Sequence, residues 1–176
     1  MSDELRPGPP GAPVPDGLIV IRLGRTAELS DDALRSLKEL ARPHPSMFEL
    51  STDDKNGVPP HLSVWVERLT PATVAWQLSG SRPHLRAVIR LASDDVRSIP
   101  MPVDCHPLDV AWFPAWLTPD LLDTRQGSEG HAGIINLEKP PKLIRKNLRD
   151  ELCLRSRAEY LDDRALAAMA GNSPAV

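Results

Sequence analysis

The chain has few cysteines, few aromatic residues and no long apolar run. Two of its 176 residues are cysteines, Cys105 and Cys153, and 4% are aromatic. A disulfide framework for a small secreted domain would use more cysteines, so we expect both thiols to be reduced. No stretch approaches the roughly 20 apolar residues of a membrane-spanning helix, and no basic start with an apolar core marks a secretory signal. These absences predict a cytoplasmic protein without a membrane partner.

The chain also lacks an excess of charge of either sign. Its formal net charge is −3, which argues against a nucleic-acid partner because such binding needs a basic surface. Arginine outnumbers lysine by 16 to 5, a bias that indicates a bacterial genome rich in G and C.

Proline is abundant, with 19 residues, and it marks the predicted domain boundaries. Residues 1–16 contain five prolines, and proline neither donates a backbone hydrogen bond nor adopts a free φ. We therefore predict a disordered leader over 1–16, a single domain over 17–168 and a flexible tail over 169–176.

The pattern of apolar residues predicts a sheet. Strand-like runs, compact or alternating between apolar and polar residues, occur at Leu18–Ile21, 62–66, 85–91 and 108–113. A short strand at 47–50, a turn at 53–57 and a segment at 96–99 that extends the sheet or packs beside it complete this interpretation.

Helix signals flank and interrupt the strands. Ser30 predicts the N-cap of a helix, and Thr70-Pro71 the start of a short helix, with a strand over 73–78 as the alternative. Thr118-Pro119 resembles a further start, and from Pro141 the apolar spacing is helical for about 25 residues. The predicted fold class is α+β: a small mixed or antiparallel sheet, an N-terminal helix and a longer C-terminal amphipathic helix.

The segment Gly127–Gly133 is the first candidate site. Three of its seven residues are glycines, which predicts a flexible loop, and it carries Glu129 and His131. A carboxylate and an imidazole can perform acid–base chemistry or bind a ligand. The alternative interpretation is an exposed connecting loop whose polar residues are solvated.

The adjacent pair Cys105-His106 is a second candidate. Both residue types bind zinc, but the chain lacks the close pairs of ligands that structural zinc sites use. We favour a buried structural cysteine and expect no metal.

A basic stripe and one tryptophan suggest a surface for a protein partner. Four cations share one face of the predicted C-terminal helix at the spacing i, i+3, i+4, i+7: Lys142, Arg145, Lys146 and Arg149. Trp65 falls on the polar side of its strand, and tryptophan is enriched at interaction hot spots. The alternatives are a solvated helix face and a packed indole.

Parts of the sequence resemble two groups of proteins, and each resemblance implies something about fold or function. Five pieces, Leu62–Val64, Thr70-Pro71, Asp95–Ile99, Leu108–Phe113 and Gly130–Ile134, are similar to a loose group of small bacterial proteins, which implies a shared domain and no activity.

The order of Arg22, Ser63 and Glu129 resembles that of the R-S-E type ADP-ribosyltransferases, which implies a site around NAD. The S-T-S segment and the E-x-E motif of that family are absent.

No signature of a common nucleotide-binding or hydrolase class occurs, so we expect no cofactor. The sequence favours a non-catalytic accessory or protein-interaction module of a bacterial multi-component system, with a role in defence or conflict as one form. The alternative is a nucleotide- or NAD-using enzyme, similar to an ADP-ribosyltransferase, with Glu129 and His131 in its site and Arg22 and Ser63 as further candidates.

Overall fold

The computed structural model describes residues 4–113 and 128–171. They form six strands and six α-helices, joined by 3₁₀ helices at Pro45–Phe48 and Ser128–Gly130. The strands are β1 (Ile19–Arg25), β2 (His61–Val66), β3 (Leu85–Ala92), β4 (Asp109–Trp112), β5 (His131–Ile135) and β6 (Arg157–Tyr160). The α-helices are α1 (Asp31–Leu40), α2 (Thr52–Asn56), α3 (Ala72–Leu78), α4 (Ser93–Arg97), α5 (Lys142–Arg155) and α6 (Asp163–Gly171). The helix start predicted at Thr118-Pro119 lies outside the described residues.

The strands form one open antiparallel sheet in the order β4-β5-β2-β1-β3-β6. The predicted α+β class is therefore confirmed, and the sheet is antiparallel rather than mixed. In the described part of the chain, no helix is long and apolar enough to cross a membrane.

The sheet carries an apolar core on each face, because neighbouring residues of a strand point to opposite sides. Val20 belongs to the larger core, which packs against α1, α4 and α5. Ile21 belongs to the smaller core with Trp76 of α3, and Leu166 of α6 completes it. Trp65 packs at the border of this smaller core.

The proline-rich segment differs from the predicted disordered leader over residues 11–14. The amide of Gly11 donates to the carbonyl of Trp112, and the amide of Trp112 donates to the carbonyl of Ala12. The amide of Val14 donates to the carbonyl of Val110, and all three bonds are 2.8 Å long. Val14 is 1% exposed and belongs to the larger core. The non-proline residues supply the amides, and proline is tolerated at an edge of a sheet, where its missing N–H is not needed.

Two local predictions around residue 50 are wrong. Residues 45–48 form a 3₁₀ helix in place of the predicted strand, and the predicted turn at 53–57 falls largely within helix α2. A capping box favours α2: the hydroxyl of Ser51 accepts the amide of Asp54, and the carboxylate of Asp54 accepts the amide of Ser51. For residues 96–99 the second alternative is the correct one, since Val96 lies in α4, which packs beside the sheet without extending it.

The C-terminal region is interrupted where the sequence predicts about 25 continuous helical residues. Helix α5 ends at Arg155, and β6 pairs with β3 before α6 begins. Helix α6 extends to Gly171, so the first three residues of the predicted tail are helical. Near Thr70-Pro71 the helix was the correct alternative, since α3 begins at Ala72.

Candidate functional site

A cleft of about 720 Å³ lies where β1 and β2 separate. The two strands pair at Val20–Val66 and Ile21–Trp65, and the amide of Glu67 adds a bond to the carbonyl of Ile19. Beyond this point β1 continues along β3 to Arg25, whereas β2 runs back along β5 to His61. Residues 46–55 and the end of α3 form the walls of the cleft.

A polar network replaces the next rung of the β1–β2 ladder. The amide of Glu67 donates to the carbonyl of Ile19, so the same register would pair Leu23 with Ser63. The amide of Ser63 instead donates to Asp54 Oδ1 at 3.2 Å, and its carbonyl accepts from Arg22 Nη1 at 2.8 Å. The side chains of Asp54 and Arg22 thus bond to the two backbone groups of Ser63 that the register would otherwise pair with Leu23.

The guanidinium of Arg22 donates its hydrogen bonds to backbone carbonyls. Its Nε donates to Met47 at 2.7 Å, and its Nη2 donates to Glu49 at 3.1 Å and lies 3.7 Å from Asp54 Oδ2. Burial lowers the pKa of Arg22, Asp54 opposes this shift, and the nearby Arg25 adds to the lowering. The guanidinium thus ties three chain segments together at the base of the cleft.

Asp54 is the acidic centre of the network, and its side chain is 5% exposed. Besides the contacts with Ser51 and Arg22, it accepts the hydroxyl of Ser63 at 2.6 Å. Burial of the carboxyl favours its protonated form, but Arg22 and the hydrogen bonds from Ser63 and Ser51 outweigh burial and lower the pKa of Asp54. This residue was missed at the sequence level; its signal was the spacing Ser51-x-x-Asp54.

His131 lies in a strand, so the predicted loop over 127–133 is wrong for residues 131–133. The strand pairs His131 with Trp65 and Gly133 with Ser63. The imidazole Nδ1 is 2.9 Å from the carbonyl of Phe113, and the ring meets that of Trp65 edge-on with centroids 4.8 Å apart.

The glycines of this segment serve close packing. A Cβ on Gly133 would lie 2.3 Å from the ring of His61, which stacks on Phe113 at 4.3 Å. A Cβ on Gly130 would lie 2.2 Å from the hydroxyl of Thr70. Gly127 lies outside the described residues. Gly130 and Gly133 therefore leave space for neighbouring side chains.

The structure brings some of the sequence-predicted site residues together. Arg22, Ser63, Trp65 and His131 all line the cleft. Glu129 is exposed in the preceding 3₁₀ helix and does not line it. The Arg–Ser–Glu order of the ADP-ribosyltransferases thus does not converge on this cleft.

The basic stripe of α5 is largely paired with acids. Arg145 contacts Glu138 at 2.6 Å and Lys146 contacts Asp150 at 2.9 Å.

Two stripe residues remain. Arg149 lies 3.7 Å from Glu49, which links α5 to the wall of the cleft. Lys142 is exposed and makes no ion pair within the described residues.

Cys105 and His106 line a separate cleft of about 330 Å³ beside Lys139. Cys105 is half-buried and His106 is exposed. Over residues 4–113 and 128–171, no group of three or more His, Cys, Asp or Glu side chains is arranged to hold a metal ion.

Comparison of the chain with protein-family models, with curated proteins and with solved structures finds no match.

Proposed function

We propose that this chain is a non-catalytic protein-interaction module, an accessory component of a bacterial multi-component system in the cytoplasm. The main support for this proposal is that the polar groups of the cleft are already hydrogen-bonded within the fold. Arg22, Asp54 and Ser63 are the groups that resemble catalytic machinery, and their hydrogen bonds are used within the fold. A group that is fully engaged in holding two strands apart is poorly placed to bind or transform a substrate.

The remaining side chains of the cleft suit the recognition of a partner. Arg25 and Arg82 line it without an ion pair in the described part of the chain, and Trp65 contributes a half-buried indole. Arginine and tryptophan are the residue types that dominate interaction hot spots. We place the main interaction surface at this cleft, with Lys142 and the rest of the α5 stripe as a secondary surface.

Affinity capture with charge-reversed variants tests the proposal. The immobilised chain, Arg25→Glu and the matched control Arg35→Glu, an exposed cation of α1, are each exposed to lysate of the source cell. We expect a set of proteins that the native chain and the control retain and that Arg25→Glu loses by at least about tenfold, or ~1.4 kcal/mol. Equal capture by all three forms, or none, would contradict the proposal. Lys142→Glu tests the secondary surface in the same assay.

A nucleotide-using enzyme is the second candidate, because His131 and Trp65 lie in the same cleft as Arg25 and Arg82. Aromatic rings can stack on a base, and arginines bind phosphate. Calorimetry with NAD and with ATP separates the two functions. Binding that His131→Ala abolishes would favour the enzyme, whereas no heat with either nucleotide would remove it.

A further inference from the structure

We infer that the cleft binds an extended acidic peptide segment, which pairs with β1 at Leu23 and places a carboxylate at Arg25 and Arg82. This inference rests on the proposed function and specifies the chemistry of the partner. Three observations support it: a residue of β1 that the β1–β2 register leaves without a partner, cations that make no ion pair within the described residues, and a cleft of about 720 Å³.

The strand edge at Leu23 follows from the register. The backbone amides and carbonyls of β1 that point toward β2 belong to its odd-numbered residues. This follows because Ile19 bonds with Glu67 and Ile21 pairs with Trp65. Leu23 is the next in this series, and in the described part of the chain the β1–β2 register includes no partner for it. The register therefore places its amide and carbonyl on the side of β1 that faces β2, which is the side where strand addition would occur.

Ser63, across the opening, does not compete for this edge. Its amide and carbonyl are already bonded to Asp54 and Arg22. The opening is therefore asymmetric: the Ser63 backbone is bonded to side chains, whereas on the β1 side the β1–β2 register gives Leu23 no partner. A peptide would add to β1 without having to displace a paired strand.

The charges of the cleft favour an acidic occupant. Three cations that line the cleft, Arg25, Lys55 and Arg82, make no ion pair within the described residues, and neither do two lining acids, Glu28 and Asp53. Arg25 also lies close enough to Arg22 to lower the pKa of that buried guanidinium. A carboxylate beside Arg25 would offset this repulsion, whereas a basic side chain would increase it.

Selection from a display library of random heptapeptides tests the inference directly. Against the native chain we expect enrichment of peptides with alternating apolar residues and Asp or Glu at one fixed position. Against Arg25→Glu the same library should yield Lys or Arg at that position, and against Arg35→Glu it should yield the acidic set again. Absence of enrichment, or acid-free peptides on the native chain, would overturn the inference.

A scan of N-methyl groups along the best selected peptide then tests the strand geometry. Methylation removes one N–H at a time without altering the protein, so misfolded variants do not confuse the result. Loss of affinity by at least tenfold at alternate residues is expected, together with slower amide exchange at Leu23. A scan without a period of two would overturn the strand mode.

Two further experimental outcomes separate the peptide mode from the proposed function. A dimer of the chain that Arg25→Glu dissociates in sedimentation would identify a second copy as the occupant and overturn the inference. Capture of a partner that Arg25→Glu loses, combined with a failed peptide selection, would leave the proposed function standing and refute only the peptide mode.

Discussion

Replacing Asp54 with asparagine tests whether the network in the cleft stabilises the fold. The carboxylate accepts three hydrogen bonds from Ser51 and Ser63 and faces the guanidinium of Arg22. Asparagine keeps the shape of the side chain, but its amide group directs two donors toward groups that are themselves donors. It also removes the negative charge opposite Arg22, whose side chain is only 16% exposed.

The expected loss is about 3 kcal/mol in the free energy of unfolding. Removal of one partner of a buried ion pair costs roughly 3–5 kcal/mol, because the other charge remains buried. The lower end applies because Arg22 keeps its three backbone carbonyls. The loss is a large part of the roughly 5–15 kcal/mol that stabilises an ordinary domain.

Urea unfolding of the native chain, Asp54→Asn and Asp53→Asn measures this loss at several pH values. Asp53 is the exposed neighbour in α2, and its replacement should cost less than about 1 kcal/mol. Because the pKa of Asp54 is lowered in the folded state, its contribution is complete above its ordinary value of 3.8 and is lost as the pH falls below it.

The stabilities of the native chain and Asp54→Asn should therefore converge in acid. A difference below about 1 kcal/mol at pH 7, or one that does not shrink in acid, would refute this reasoning.

Three further predictions concern packing, thiol reactivity and the proline-rich segment. Gly133→Ala should destabilise the fold by about 1–3 kcal/mol in urea, because the added Cβ would overlap the ring of His61, and a smaller effect would show that the ring moves freely. Burial, with a contribution from a nearby acid, raises the pKa of Cys153 to about 12, so Ellman's reagent at pH 8 should modify Cys105 first; equal rates would contradict the burial. Arg97→Ala should speed amide exchange in residues 11–16 and cost about 1.5–3 kcal/mol, because Arg97 bonds to that segment and to β4; unchanged exchange would show that the segment is held by other contacts.

The parts of the fold that follow from local chemistry could be predicted from the sequence. The alternation over Leu62–Val66 and over Leu85–Leu91 marks β2 and β3, since each strand presents different residues to its two faces. Ser30 caps α1 by accepting the amide of Ala33, as its position before two acids suggests.

The parts that depend on distant partners could not be predicted. Val14 is a single apolar residue among prolines, and its burial depends on β4, which lies nearly one hundred residues later. The cleft depends on three segments that meet only in the folded chain, those of Arg22, Asp54 and Ser63. His131 was singled out within a predicted loop, but it lies in strand β5, where Gly133 leaves room for the ring of His61.

The polar network of Arg22, Asp54 and Ser63 bears on why β1 and β2 separate at the cleft. A continued β1–β2 ladder would satisfy Ser63 through Leu23 without burying any charge. The chain instead buries an arginine and a carboxylate at the same place, and such pairs seldom stabilise a protein more than an apolar alternative does. Stability alone therefore gives no reason for the strands to separate here. Under the proposed function, the opening is a binding feature whose cost the rest of the fold offsets.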